Sequence, residues 1–168
     1  MAAGARVRRT VLHRVEHQHC VHNVMCKYHD IRRMRSEDVN AVMAIWLQGN
    51  LQAHPFVAPS YWMDNMPGVR EAILVAEVWV CDEGGIIGFI GMVDDYVAGL
   101  FVCDTARRQG VGTALLLRAK ERHDRLSLHV YRKNTVAVDF YHHASFRTEA
   151  TGVDGNTGEE EFGMTWRR

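Results

Sequence analysis

Apolar positions Val39, Val42, Met43, Trp46 and Leu47 recur at i, i+3, i+4, i+7 and i+8, the spacing of a helix that buries one face. Ser36 offers an N-cap for it, Glu37 and Asp38 suit the positive end of its dipole, and Gly49-Asn50 reads as its end. Residues 30–35 alternate as a first strand. A turn at His54-Pro55-Phe56-Val57 leads to a second helical stretch from Ser60 to about Leu74, with a kink or a fresh start expected at Pro67. From Glu77 the period drops to two. Residues 77–81, 86–93 and 96–102 read as strands in meander order, joined by turns at 82–85 and at Asp94-Asp95. A helix over 113–122, a strand over 126–130 and an amphipathic helix over 134–145 follow, the last with Val138, Tyr141 and His142 on one side. The tail gives a strand at 146–149, a turn between Gly152 and Gly158, and a strand at 161–166.

Composition narrows the function classes. A chain of 168 residues, 47% apolar and 24% charged, is one soluble domain by size and mixture. Lys+Arg and Asp+Glu are both 20, so charge favours neither a nucleic-acid nor a membrane-surface partner. No apolar run has the length to span a bilayer. Cys20, Cys26, Cys81 and Cys103 form no compact disulfide framework, and reduced thiols in a cytoplasm account for them. Residues 1–29 stand apart. They are basic at the start without a signal-peptide core, then dense in metal-ligating types: His13, His17, Cys20, His22, Cys26 and His29. His13 and His17 would share a helix face as zinc pairs do, yet no standard zinc spacing is present. This stretch reads as an extension outside the fold, disordered or translated upstream of it. The domain is expected over 30–168, with no metal required.

The chemistry concentrates at Arg107-Arg108-Gln109-Gly110-Val111-Gly112, between a strand and a helix. A strand that turns through glycines into a helix leaves backbone N–H groups unpaired and aimed outward, and the helix dipole adds positive charge there. Gly110 and Gly112 allow a phosphate close to the backbone. Arg107 and Arg108 add charge-assisted donors. Neither G-x-x-x-x-G-K-[ST] nor G-x-G-x-x-G is present.

The R-x-x-G-x-G run of Arg107, Gly110 and Gly112 resembles the acyl-CoA pyrophosphate loop of the GNAT acetyltransferases. The element order β-α-α-β-β-β-α-β-α-β-β over 30–168 is similar to theirs. So is Asn134-x-x-Ala137-x-x-Phe140-Tyr141 followed by Ser145-Phe146, where Ser145 replaces the usual glycine. Trp46-Leu47, His54-Pro55-Phe56, Tyr61-Trp62 and Val130-Tyr131-x-Lys133-Asn134 resemble the small bacterial YiaC-type members. The resemblance implies an α+β fold. Its mixed, mostly antiparallel sheet of about seven strands is flanked by four helices and splayed between strands 4 and 5. It also implies acetyl transfer from acetyl-CoA directly to an amine, a protein lysine or N-terminus first, a small amine or antibiotic second. A non-catalytic CoA-binding sensor or interaction module is the reading from another class.

By the same resemblance, the main chain at Leu100, Phe101 and Val102 meets the pantetheine and the thioester. Arg107, Arg108, Gln109, Gly110, Val111, Gly112 and Thr113 hold the pyrophosphate. Tyr141 is the candidate acid that protonates the departing thiolate. Asn134 either bonds the pantetheine or caps its helix. No Glu stands on the fourth strand as a base. His54 qualifies by its titration range, and a water relay or an amine that enters neutral serves equally. His54, Phe56, Tyr61, Trp62 and Tyr96 line the expected acceptor slot. Asp94, Asp95, Asp154 and residues 159–161 are acids that either face a cationic acceptor or sit in solvated turns. A monomer or homodimer is expected.

Overall fold

A computed structural model of the protein describes residues 29–168. The extension's His13, His17, Cys20, His22 and Cys26 lie outside the described residues. The alternating stretch becomes a meander of β2 (Glu77–Asp82), β3 (Ile86–Val93) and β4 (Tyr96–Val102). Ahead of it stand β1 (Ile31–Arg33), a 3₁₀ turn (Ser36–Asp38), α1 (Val39–Ala53) and α2 (Pro59–Val75). After it come a 3₁₀ turn (Asp104–Ala106), α3 (Val111–Arg122), β5 (Arg125–Tyr131), α4 (Thr135–His143), β6 (Arg147–Val153) and β7 (Glu160–Arg167). The seven strands form one sheet in the order β1-β2-β3-β4-β5-β7-β6. All neighbours are antiparallel except β4 and β5.

Strand alternation sends successive side chains to opposite faces, which produces two cores. On one face Val78, Val80 and Phe89 pack with Val39, Val42, Met43 and Ile45 of α1 and Ile73 of α2. On the other, Ile90, Met92, Val97, Leu126, Leu128 and Met164 pack with Leu115, Leu116 and Ala119 of α3 and Tyr141 of α4. The parallel pair β4–β5 is registered at a single position, Tyr96↔Ser127. Beyond it the strands diverge, so the edge of β4 toward Val102 faces a gap instead of a ladder partner.

Four local expectations are corrected. Gly49 and Asn50 do not end α1, which continues to Ala53. A Cβ on Gly49 would stand 2.6 Å from the Phe101 ring, so close approach to β4 is what requires glycine there. Asn50 is buried and donates to the Trp46 carbonyl from inside the helix. Pro67 does not interrupt α2. It sits on the exposed side, where water can take the carbonyl it leaves without a donor. Ser36 does not cap α1; it opens the 3₁₀ turn ahead of it, and the carboxylate that braces this turn is that of Asp38. The Asp38 carboxylate accepts from the Arg35 amide at 2.7 Å and from Arg32 at 2.7 and 2.9 Å. The third helix starts two residues earlier than expected, at Val111. Ser145, in the glycine position after α4, adopts the left-handed φ of 67° that this exit requires.

Candidate active site

The gap between β4 and β5 opens into a cleft of about 1030 Å³. Leu100, Phe101 and Val102 form its β4 wall, and Thr135, Val136, Ala137, Phe140 and Tyr141 of α4 line the other side. At one end lies the turn into α3. Arg108 and Gly110 both have positive φ, 59° and 89°, and this double left-handed bend points the chain into the helix. Among the described residues no side chain caps the start of α3, which leaves the amides of its first turn open to an anion. Arg107, Arg108, Gly110, Gly112 and Thr113 line the cleft here. Gln109 and Val111 do not. Gln109 turns its side chain to the Thr105 carbonyl and Val111 is buried in the core, so each can contribute through its backbone only.

Gly112 has no conformational need for glycine. An added Cβ would meet only Phe140 at 3.6 Å and Val102 at 3.8 Å, which is ordinary contact. Arg107 is committed to the protein. Its guanidinium donates to the Val102 carbonyl at 3.3 Å and to Gln52 Oε1 at 2.7 Å, and pairs with Asp104 at 2.9 Å. It thereby ties the end of β4 to α1.

At the other end is an aromatic mouth of Phe56, Tyr61, Trp62, Tyr96 and Tyr131, with His54 at its centre. The His54 ring stacks on Trp62 with centroids 5.4 Å apart and meets Phe56 and Tyr131 edge-on. Its Nδ1–H donates to Asn50 Oδ1 at 3.1 Å, and Nε2 accepts from Asn134 Nδ2 at 3.2 Å. Burial lowers the His54 pKa to about 4. The imidazole is thus a neutral bridge with both nitrogens engaged. The other side of that bridge fixes Asn134, whose Oδ1 accepts from the Ala137 amide at 3.2 Å. Of the two roles open to Asn134, the structure displays the helix cap.

Tyr141 is 8% exposed, packs edge-on to Phe140 and Phe146, and also lines the cleft. Burial, with the Tyr96 hydroxyl adding to it, raises the Tyr141 pKa well above the ordinary phenol range. Tyr96 is held by His129, its hydroxyl 3.3 Å from Nδ1, and its pKa is likewise raised by burial first. Sequence reasoning missed His129 and gave Tyr131 no role. Both belong to the run Leu128 to Tyr131 of β5 that lines the cleft, and nothing in a short strand says that a gap will open along its edge. Asp154 and Glu161, read earlier as acids of uncertain use, line the mouth. Burial works to raise the Asp154 pKa, but bonds from Tyr131, the Asn156 amide and Thr157 outweigh it and hold the carboxylate below its usual range. Asp94 and Asp95 lie outside the cleft.

Comparison with known proteins agrees with this architecture. The profile of the family described as "Acetyltransferase (GNAT) domain" matches residues 75–148, from the end of α2 to β6. The chain is 34% identical over 139 residues to peptidyl-lysine N-acetyltransferase YiaC of Escherichia coli, an alignment covering 81% of this chain and 95% of that protein. It is 29% identical to peptidyl-lysine N-acetyltransferase YjaB of Salmonella typhimurium, covering 82% and 92%. The solution structure of apo YjaB from E. coli superposes with a TM-score of 0.73 at 25% identity, covering 83% of this chain and 97% of that one. The fold also matches yncA of Salmonella typhimurium, solved with acetyl-CoA, at a TM-score of 0.60 and 17% identity over 84% and 94%. A sheet splayed between β4 and β5, an uncapped glycine turn at one end of the gap and this likeness in sequence lead to one conclusion: the chain belongs to the GNAT family and is an N-acetyltransferase that draws its acetyl group from acetyl-CoA.

Proposed function

We propose that the acceptor is a lysine side chain of a protein, and that the cleft divides into a CoA arm and an acceptor mouth. The observation that carries this reading is the single-position pairing of β4 and β5. It leaves the β4 backbone open between an anion-binding turn and a mouth that is aromatic and acidic. The amides of 108–113 and the Arg108 side chain hold the pyrophosphate, and the backbone of Leu100, Phe101 and Val102 receives the pantetheine and the thioester carbonyl. Gly112 supports this assignment, because a glycine the fold does not need there leaves room for a ligand.

The amine attacks the thioester carbonyl carbon, and the tetrahedral intermediate collapses as the C–S bond breaks. The Tyr141 hydroxyl, kept protonated by burial, gives its proton to the departing thiolate. Tyr141 recovers a proton from solvent, while the acetylated amine releases one. His54 is a poor base, since both its nitrogens are occupied and burial lowers its pKa to about 4. Loss of the ammonium proton therefore runs through water or occurs before the amine enters. Asp154, ionised under these conditions, and Glu161 attract a cationic side chain to the mouth. A peptide also brings carbonyls, and the buried Trp62 indole N–H at this wall has no partner among the described residues. The names of the relatives, both peptidyl-lysine acetyltransferases, support the same acceptor. The organisms of those relatives support a bacterial enzyme, which we take to be cytoplasmic, a monomer or homodimer, and to act without nucleic acid. Among the described residues no helix is long and apolar enough to cross a membrane.

The test is incubation with acetyl-CoA and two panels, lysine-containing peptides or folded proteins and small polyamines or aminoglycosides. Free thiol and product mass are followed. Peptide lysine acetylation at higher kcat/KM than any small amine is the expected result, and the reverse order would assign a small-molecule acceptor.

A further inference from the structure

Away from the cleft, the register of β1 on β2 gathers three side chains of metal-ligating type. Ile31 pairs with Cys81, and the Asp82 amide donates to the Asp30 carbonyl at 2.9 Å, which sets His29 opposite Glu83. Residues paired in this way share a face with those two positions along. His29, Cys81 and Glu83 thus project together, and their ligand atoms all lie within 4.8 Å of one another. Cys81 is fully buried and the His29 side chain is 3% exposed. None of the three lines the cleft.

The imidazole of His29 has two partners that only accept. Nε2 is 2.9 Å from the Gln109 carbonyl, and Nδ1 is 2.6 Å from Glu83 Oε1. A neutral imidazole carries one N–H. If that proton is on Nε2, a lone pair on Nδ1 meets a carboxylate oxygen, and a positive centre must stand between them. A second ring proton would serve, and so would a metal ion. The Cys81 thiol stands beside them, and imidazole, thiolate and carboxylate are together a zinc donor set. An Nε2–H donated to a backbone carbonyl is also the contact that orients a ligating histidine.

We propose that His29 Nδ1, Cys81 Sγ and a Glu83 carboxylate oxygen bind one divalent cation of borderline softness, Zn²⁺ being the best fit, as a structural site. Zinc with bonds of about 2.0–2.3 Å holds its donors about 3.3–3.7 Å apart in a tetrahedron. The Glu83 carboxylate therefore swings back by roughly an ångström to admit the ion, a small rotation for an exposed side chain. Water or a further donor fills the fourth position. The Cys81 thiol loses its proton to solvent as the S–metal bond forms. His29 passes the constraint on to the turn before α3, because it holds the Gln109 carbonyl and lies 3.5 Å from where a Cβ on Gly110 would be. The acetyl-transfer chemistry needs no metal, and the site stands outside it.

The full-length protein, stripped with EDTA, is titrated with Co²⁺ and followed by thiolate-to-cobalt charge-transfer absorption, with Zn²⁺ as the competitor. One equivalent is expected to give the band, and Zn²⁺ to abolish it. Cys81→Ser should remove the band, and Glu83→Gln and His29→Gln should each weaken Co²⁺ binding at least about tenfold. The chain also carries Cys20, Cys26 and four histidines ahead of His29. A band that persists in Cys81→Ser would therefore place the metal elsewhere and overturn the proposal, as would no band in the unaltered protein. Should Cys81→Ser fail to fold, Glu83→Gln and His29→Gln decide, and unchanged Co²⁺ affinity in both overturns it.

Discussion

At the scale of single residues, Tyr141 carries the most consequence. Its ring belongs to the core beside Phe146, and its position also borders the cleft, so the structure accommodates a packing role and a proton-donor role together. Tyr141→Phe separates them, because it removes the hydroxyl and leaves the ring. Acting as the acid, the hydroxyl accounts for a kcat loss on the scale of 10²–10⁴-fold with acetyl-CoA still bound. Acting only in packing, its loss lowers stability by about 1 kcal/mol and leaves turnover per folded molecule unchanged. Melting curves and kcat from one preparation distinguish the outcomes, and early melting with normal turnover would remove Tyr141 from the mechanism. His54 shows the converse. Its residue type suggested a base, but its two hydrogen bonds and its aromatic cage make it a brace between α1 and α4.

At the scale of elements, the strand–turn–helix from β4 to α3 is the unit proposed to receive the pyrophosphate. The left-handed bend at Arg108 and Gly110 aims the uncapped first turn of α3 at the cleft. Gly112 lies in that turn with space around it. Gly112→Asp should therefore leave the melting temperature nearly unchanged while placing a carboxylate among the amides. Acetyl-CoA affinity is expected to fall at least tenfold, about 1.4 kcal/mol. Calorimetry that returns an unaltered Kd would take the pyrophosphate away from this turn. Gly110→Asp is a less useful probe, since φ of 89° penalises any side chain there whether or not a ligand binds.

Across the whole molecule, the Asn50–His54–Asn134 bridge at the mouth end of the cleft joins a helix on one face of the sheet to one on the other. The bridge works with neutral His54. In the folded protein that imidazole takes a proton only near pH 4, whereas the unfolded chain takes it near 6.5. Between those values the unfolded state binds more protons, so stability is fully present above about pH 6.5 and declines as pH falls toward 4. His54→Gln should lower the melting temperature at pH 7 and flatten its dependence on pH within this window. Melts at pH 7, 5.5 and 4 for both proteins check it. Parallel curves would mean that His54 is not the group responsible.

The period of apolar residues determined the element order, the meander of β2 to β4 and the helix stripe of α1, because burial of one face is a local property of sequence. The glycines and arginines at 107–112 likewise marked a turn into a helix, since backbone freedom is written in residue types. Tertiary structure decided the rest. Gly49 reads as a helix end until Phe101 is seen against it. Asn134 has two possible partners until His54 takes one side of its carboxamide. His129 and Tyr131 join the cleft only because β4 leaves β5 after one paired position. His29 meets Cys81 and Glu83 across more than fifty residues of chain, through strand register alone. In each case the deciding neighbour is distant in sequence, and only packing brings it near.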